Sequence, residues 1–384
     1  MQQRVAQDGA ATPPPPSAPT EVAFLGSGNV LPAYLQIADR LVARGLVALG
    51  PILVRSPARR VELQVRRPSD RYVATIEEVL ASSADIVVVI TPSECHSEHV
   101  AAALEVGKHV LVEKPVAPDR AQAEALYAMA ARSNRHLVSA PFVHLSHTVR
   151  ELWTRVQSGE IGHVHLARAL YGNPGSNWSR WYHEPSGGPL HDLAIYNLKT
   201  LTALLGPVQS VVAVHTASGV ERMFDGTKVP PADSDGWQLV LRHETGALSS
   251  VAASHAIQRY RRPAIELYGT TGTANLLGDD WDPSGFEIWT NATASWTRRD
   301  ARDRTWLWTD GLRDLVESVR AGSPPTAHDD HDLHLLDVID AARRSAESAT
   351  TVAVDSSFRP LDLTILPDAG AHAVHDRTRS ASDQ

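Results

Sequence analysis

Five consecutive β-branched residues, Ile86-Val87-Val88-Val89-Ile90, leave this chain few ways to fold. Side chains alternate faces along a strand, so a run without a polar residue needs apolar cover on both sides. A central strand of a parallel sheet has such cover, from the helices that cross over between strands. The neighbouring sequence keeps the required rhythm. Short apolar runs at Glu21 to Leu25, Pro51 to Arg55, Asp85 to Ile90, His109 to Val112 and His136 to Ala140 alternate with helical spacing around 34 to 43, 76 to 82, 97 to 106 and 119 to 132. The pattern predicts an α/β, doubly wound domain over residues 21–141.

Beyond Gly162 the rhythm changes to strand runs at 163–171, 208–216, 237–243, 247–255, 263–268 and 273–277, several separated by turn residues such as Gly246 and Gly269-Thr270-Thr271-Gly272. This predicts an α+β domain over residues 142–367 with a large, mostly antiparallel sheet. Residues 1–20, with prolines from Pro13 to Pro16, and residues 368–384 lack apolar periodicity and are expected to be disordered tails. The formal charge of -8 opposes binding to nucleic acid or an anionic membrane. No stretch is long and apolar enough to span a bilayer, and with neither a basic start before an apolar core nor a twin arginine, no export signal is expected in residues 1–20. Cys95 is the sole cysteine and no Cys/His group has zinc-ligand spacing, so neither a disulfide nor a metal is expected, and the cytoplasm is the expected compartment.

The turn after the first strand reads Gly26-Ser27-Gly28-Asn29-Val30-Leu31, a G-x-G-x-x with leucine at the third glycine of the dinucleotide fingerprint. Gly26 permits a tight turn, and Gly28 lets a pyrophosphate approach the amide groups at the start of the helix. The placement between strand and helix points to a Rossmann-type cofactor site. At the end of the second strand an acid would hold a free ribose 2′-hydroxyl, but here stand Arg55 and Ser56, followed by Arg59 and Arg60. A guanidinium and a hydroxyl suit a 2′-phosphate, so NADP is the expected cofactor and NAD the alternative. The plainer reading of these arginines is a solvated helix face.

Two further stretches carry a family resemblance. Residues 84–117, ADIVVVITPSECHSEHVAAALEVGKHVLVEKPVA, include Glu113-Lys114-Pro115, and Gly187 to Lys199 follows the pattern GGxLxDxGxHxxD, leading to Leu204-Leu205-Gly206-Pro207. In that order they resemble the Gfo/Idh/MocA oxidoreductases over roughly residues 21 to 366. The resemblance implies that Lys114, Asp192 and Tyr196 form the catalytic group, and that Thr91, Pro92, His96 and Glu113 contact the cofactor. It also implies a dimer or tetramer built on one face of the second sheet. Three positions depart from the pattern: Tyr196 stands for histidine, Ala194 for glycine and Lys199 for aspartate. Tyrosine at that position resembles the glucose-fructose oxidoreductase and dihydrodiol-dehydrogenase-like branches.

The chemistry agrees with these residue types. Removing hydride from a carbinol carbon requires a group that takes the hydroxyl proton. A free phenol, with a pKa of about 10, is a poor base, but a nearby ammonium stabilises its phenolate. Lys114, at the carboxyl end of a parallel strand and before a proline whose bond is a candidate for cis geometry, can supply that ammonium. If Asp192 and Tyr196 share a helix, their spacing of four puts them on one face, about 6 Å apart at Cβ. The bland alternatives are a solvated lysine, a helix-capping aspartate and a core tyrosine. Ahead of this segment, YGNPGSNWSRWYHEPS carries Trp178, Arg180, Trp181, Tyr182 and His183, whose rings and polar groups suit a sugar or aromatic glycoside, or else pack against neighbouring strands. His191 is a further candidate contact to substrate. The function expected is hydride transfer at a hydroxyl or ketone carbon of a sugar, polyol or glycoside. The alternatives are a cofactor-binding sensor without turnover and an imine or enone reductase.

Overall fold

A computed structural model describes residues 18–175 and 187–364 of the chain, apart from 225, 230–232, 280, 302 and 304. Six parallel strands open the fold: β1 (Thr20–Leu25), β2 (Val47–Leu53), β3 (Tyr72–Val73), β4 (Ile86–Val89), β5 (His109–Val112) and β6 (Leu137–Ser139). Their spatial order is β3-β2-β1-β4-β5-β6, the two-halved arrangement whose crevice lies at the carboxyl ends of β1 and β4. The connections are helical: α1 (Leu31–Ala43), α2 (Pro57–Arg66), α3 (Ile76–Leu80), α4 (His96–Glu105) and α5 (Arg120–Arg132). Strand β4 is wholly buried, as its unbroken apolar run requires, with Ile86 and Val88 in one core cluster and Val87 and Val89 in the other.

Local chemistry sets several of the helix starts. Thr75 and Glu78 form a reciprocal capping box at α3, and Asp119 accepts the Gln122 amide to start α5. Strand β2 begins at Val47, four residues before the expected Pro51, because the strand runs through Gly50 and Pro51 instead of starting after them.

The second half begins with α6 (His147–Gln157), β7 (Val164–Gly172), α7 (Ile195–Leu205), β8 (Val208–Thr216), a small hairpin of β9 (Arg222–Phe224) and β10 (Thr227–Val229), and β11 (Gly236–His243). It continues with β12 (Leu248–Ser254), β13 (Ile265–Gly269), β14 (Gly272–Asp279), β15 (Asp282–Thr290), β16 (Ser295–Asp300), α8 (Gly311–Ala321), α9 (Asp329–Ser348) and β17 (Val352–Ala353). Nine of these strands form one sheet in the order β16-β15-β14-β13-β7-β12-β11-β8-β17, antiparallel throughout except for β7 beside β12. The inner face, with Val211, Leu239, Val251 and Leu267, packs under α6, α7 and α9. The outer face keeps apolar residues in the open, including Leu166, Val212, Val214 and Val240.

The two layers are not contiguous in sequence. Helix α8 returns to the parallel sheet, where Leu312, Leu315 and Val316 bury against the cluster of Tyr34, Leu41 and Phe142. The segment before it carries Trp308 to the edge of the crevice, edge-on to Tyr34 at 5.8 Å between ring centres. A division at residue 141 therefore leaves this late helix on the wrong side.

Candidate active site

A cleft of about 1080 Å³ runs along the carboxyl ends of β1, β2, β4 and β5 and reaches the large sheet. Gly26, Ser27, Gly28, Asn29 and Val30 line one end. Gly26 has φ +123°, and a Cβ there would lie 2.6 Å from the Ile90 carbonyl oxygen, so the tight approach of β1 to β4 needs glycine. A Cβ on Gly28 would meet nothing within 4 Å, which leaves open space before α1. The first turn of α1 has no side-chain cap and no acid, so its unmade amide bonds and dipole suit an anion. Leu31, in place of the third glycine, is fully buried. These residues fit a dinucleotide pyrophosphate.

Past β2, Arg55 and Ser56 line the cleft, and Arg55 is exposed. Arg60 does not join them, because its guanidinium donates to the Val54 carbonyl at 3.2 Å. Arg59 instead braces the glycine turn, donating to the Ser27 carbonyl at 3.1 Å while pairing with Glu62 at 2.6 Å.

At the end of β4, Thr91 and Pro92 line the cleft. His96 touches its wall but is spent on the protein. Its two ring nitrogens lie 2.9 Å from the Thr91 carbonyl and 2.7 Å from that of Pro115. Burial pushes the ring below the usual histidine range, and with both nitrogens turned to backbone carbonyls it sits between the ends of β4 and β5 instead of reaching for a ligand.

Strand β5 delivers Glu113 and Lys114, followed by a cis bond to Pro115. Glu113 accepts from the buried Tyr34 hydroxyl at 2.7 Å, and burial together with the Glu113 charge pushes that phenol far up. The Lys114 ammonium donates to Asp192 Oδ1 at 2.6 Å and to the Asp192 carbonyl at 3.2 Å, and stands 5.4 Å from the centre of the Tyr196 ring. The other carboxylate oxygen of Asp192 lies 3.1 Å from His255 Nε2. Burial alone would push Asp192 up, but Lys114 and His255 together hold it below the usual carboxylate range. Tyr196 packs edge-on to Tyr171 at 5.8 Å.

Asp192 and Tyr196 do not share a regular α-helix. Residues Leu190–Ala194 form a π-helical turn, with the Ile195 amide reaching back to the Leu190 carbonyl, and α7 starts only then. Both side chains still face the cleft. The wider turn carries His191 away from it: that ring is buried, with Nδ1 3.1 Å from an Arg343 nitrogen, and it does not line the cavity. Trp178, Arg180, Trp181, Tyr182 and His183 lie outside the described residues. Tyr171 and Asn173, at the start of the stretch YGNPGSNWSRWYHEPS, line the cleft, as do Trp281 and Trp308, which no motif announces. Nothing in the sequence marks His255 or Tyr34, because one follows an ordinary strand and the other fits the apolar stripe of α1.

The profile of an oxidoreductase family with an NAD-binding Rossmann fold matches residues 20–140, and that of the GFO/IDH/MocA C-terminal domain matches residues 149–275. The chain belongs to the GFO/IDH/MocA oxidoreductases. Membership makes it a nicotinamide-dependent enzyme of a family that acts on sugars and polyols. Among its relatives is a dTDP-3,4-didehydro-2,6-dideoxy-alpha-D-glucose 3-reductase from Saccharopolyspora spinosa, 28% identical over 66% of this chain and 73% of the relative. Another is an inositol 2-dehydrogenase from Leifsonia xyli, 25% identical over 75% of this chain and 84% of the relative. A solved levoglucosan dehydrogenase in complex with NADH has the same fold, with a TM-score of 0.76, 19% identity and coverage of 88% of this chain and 99% of that one. Among the described residues no helix is long and apolar enough to cross a membrane, and no His, Cys, Asp and Glu side chains cluster as metal ligands.

Proposed function

We propose that this GFO/IDH/MocA oxidoreductase uses NADP and transfers hydride at a hydroxyl or ketone carbon of a sugar, polyol or glycoside, with Lys114 and Tyr196 handling the proton. The observation that carries the proposal is the approach of the Lys114 ammonium to Asp192 at 2.6 Å and to the Tyr196 ring at 5.4 Å, in the cleft that begins at the glycine turn. A bound nicotinamide would supply the hydride acceptor or donor. The protein's part is to hold the substrate oxygen where its proton can pass to the Tyr196 oxygen, with Lys114 favouring the phenolate. Asp192 holds the Lys114 ammonium in place.

The 2′-phosphate preference rests on Arg55 and Ser56 beside the cleft and on the lack of an acid at the end of β2. The carbohydrate-like substrate is supported by the relatives that, by their names, reduce a dTDP-linked sugar or oxidise inositol. Val212, Val214 and Val240 on the outer sheet face, 43%, 60% and 48% accessible, support a homodimer or homotetramer joined there. A cytoplasmic location is part of the same reading, supported by the free Cys95.

The test is reduction of NADP by the purified protein with D-glucose, D-xylose, myo-inositol and levoglucosan, each compared with Lys114→Ala and Tyr196→Phe. Each substitution is expected to lower kcat at least ~10²-fold with cofactor affinity little changed. Near-normal rates in both variants would reject the proton machinery, and cofactor binding without turnover on any substrate would favour a sensor.

A further inference from the structure

We propose that His255 is a positioning residue for the proton-handling pair, acting through Asp192. The inference rests on the reading of Lys114 and Tyr196 given above and adds a third element to it. Asp192 divides its carboxylate, one oxygen to Lys114 at 2.6 Å and the other to His255 at 3.1 Å. The three come from three places: the end of β5 in the parallel sheet, the π-helical turn, and the residue that follows β12 in the large sheet. His255 is only 2% accessible and is not part of the cleft lining, so its ring acts from behind the carboxylate.

A carboxylate held through one oxygen by a lysine, itself on a flexible stem, is free to rotate about its own Cβ–Cγ bond. A second contact from a fixed ring removes that freedom. The backbone of His255 is held, its amide donating to the Asp235 carbonyl at 2.9 Å and its carbonyl accepting from Arg222 at 2.7 Å, and burial confines the ring it carries. Arg222 in turn pairs with Asp235 at 3.2 Å, whose other carboxylate oxygen accepts the Ser218 amide at 2.7 Å. Among the described residues, Lys114 and the Tyr196 phenol thus stand on the cleft side of the relay, and the Arg222 and Asp235 pair stands behind it. Because Lys114 also donates to the Asp192 carbonyl, the plane of that carboxylate and the place of the ammonium are set together. The large sheet thereby reaches across to position a side chain of the parallel sheet.

Two variants separate positioning from bulk. His255→Gln returns an N–H close to the place of Nε2, whereas His255→Leu keeps the volume and removes the donor. With NADP and the best of the four named substrates, His255→Leu is expected to lower kcat about 10- to 100-fold with KM for NADP within about twofold, and His255→Gln to stay within about threefold of the parent. In a Tyr196→Phe background His255→Leu should cost less than about twofold further, because residues acting as one unit are not additive. Parent-like rates in His255→Leu, equal losses in both variants, or a full additional loss in Tyr196→Phe would each overturn the proposal. Crystal structures of His255→Leu read the claim without turnover: Lys114 Nζ and Asp192 Oδ1 should move apart beyond about 4 Å, the limit of an ion pair. An unchanged separation overturns the positioning role, whereas active Lys114→Ala and Tyr196→Phe proteins would instead reject the underlying assignment of the pair.

Discussion

Lys114 and Lys199 each meet a carboxylate, in different surroundings. Lys114 faces the cleft, whereas Lys199, on α7, is wholly buried with its ammonium 2.6 Å from Asp332. Burial pushes the Asp332 carboxyl up, and Lys199 and the Tyr127 hydroxyl at 2.9 Å pull against it. The lysine that replaces the family's aspartate therefore ties α7 to α9 and to α5, out of reach of the cleft. At the cofactor end, Arg55 is the residue whose loss should be read most directly. A charge-assisted hydrogen bond contributes about 1.5–3 kcal/mol, so Arg55→Ala should weaken NADP binding about tenfold or more while NAD changes much less. Fluorescence titration with the two reduced cofactors measures both, and equal losses would remove the phosphate assignment. Lys114, Asp192 and Tyr196 are legible in the sequence because two short motifs name them. His255 and Tyr34 are not, since their partners lie 63 and 79 residues away and only the tertiary fold joins them.

At the scale of elements, the turn between β1 and α1 is the most exacting. Gly26→Ala combines a positive φ with a Cβ driven against the backbone of Ile90, which cannot yield without parting β1 from β4. A loss of about 2 kcal/mol or more is expected from the strain, read as a lower urea midpoint, together with weakened cofactor binding. An unchanged midpoint would show that the turn relaxes at little cost. Strand β4 is legible because a run of Ile and Val allows no other placement. Strands β15 and β16 are not. Pro283 and Gly285 break the pattern of the first, and every residue of the second is exposed, so neither shows the apolar alternation that marks a half-buried strand. The π-helical turn escapes for a different reason: its extra residue leaves the spacing of Asp192 and Tyr196 in sequence unchanged while altering their direction.

For the molecule as a whole, buried histidines tie stability to pH. Burial pushes His144 and His331 well below the usual range and His334 down to about 4. An unfolded histidine titrates near 6.5, so below that pH the unfolded chain binds protons that these rings in the fold refuse. Their contribution is present in full above about pH 6.5 and is lost as the pH falls, at about 1.4 kcal/mol per pH unit for each ring until its folded value is reached. Asp192 has a separate window, since its lowered value keeps its contribution intact down to about pH 4. Thermal melting should therefore decline between about pH 7 and about pH 5, and a flat profile would contradict the burial of these rings. The return of α8 has a consequence for how the chain can be divided. Burying a leucine or valine contributes about 1.5–3 kcal/mol, so Leu312, Leu315 and Val316 together hold a share comparable to the entire stability of an ordinary domain. A nucleotide-binding fragment cut after residue 141 would bare the outer side of α1 to water, so the cofactor half is complete only once Leu312, Leu315 and Val316 have been synthesised.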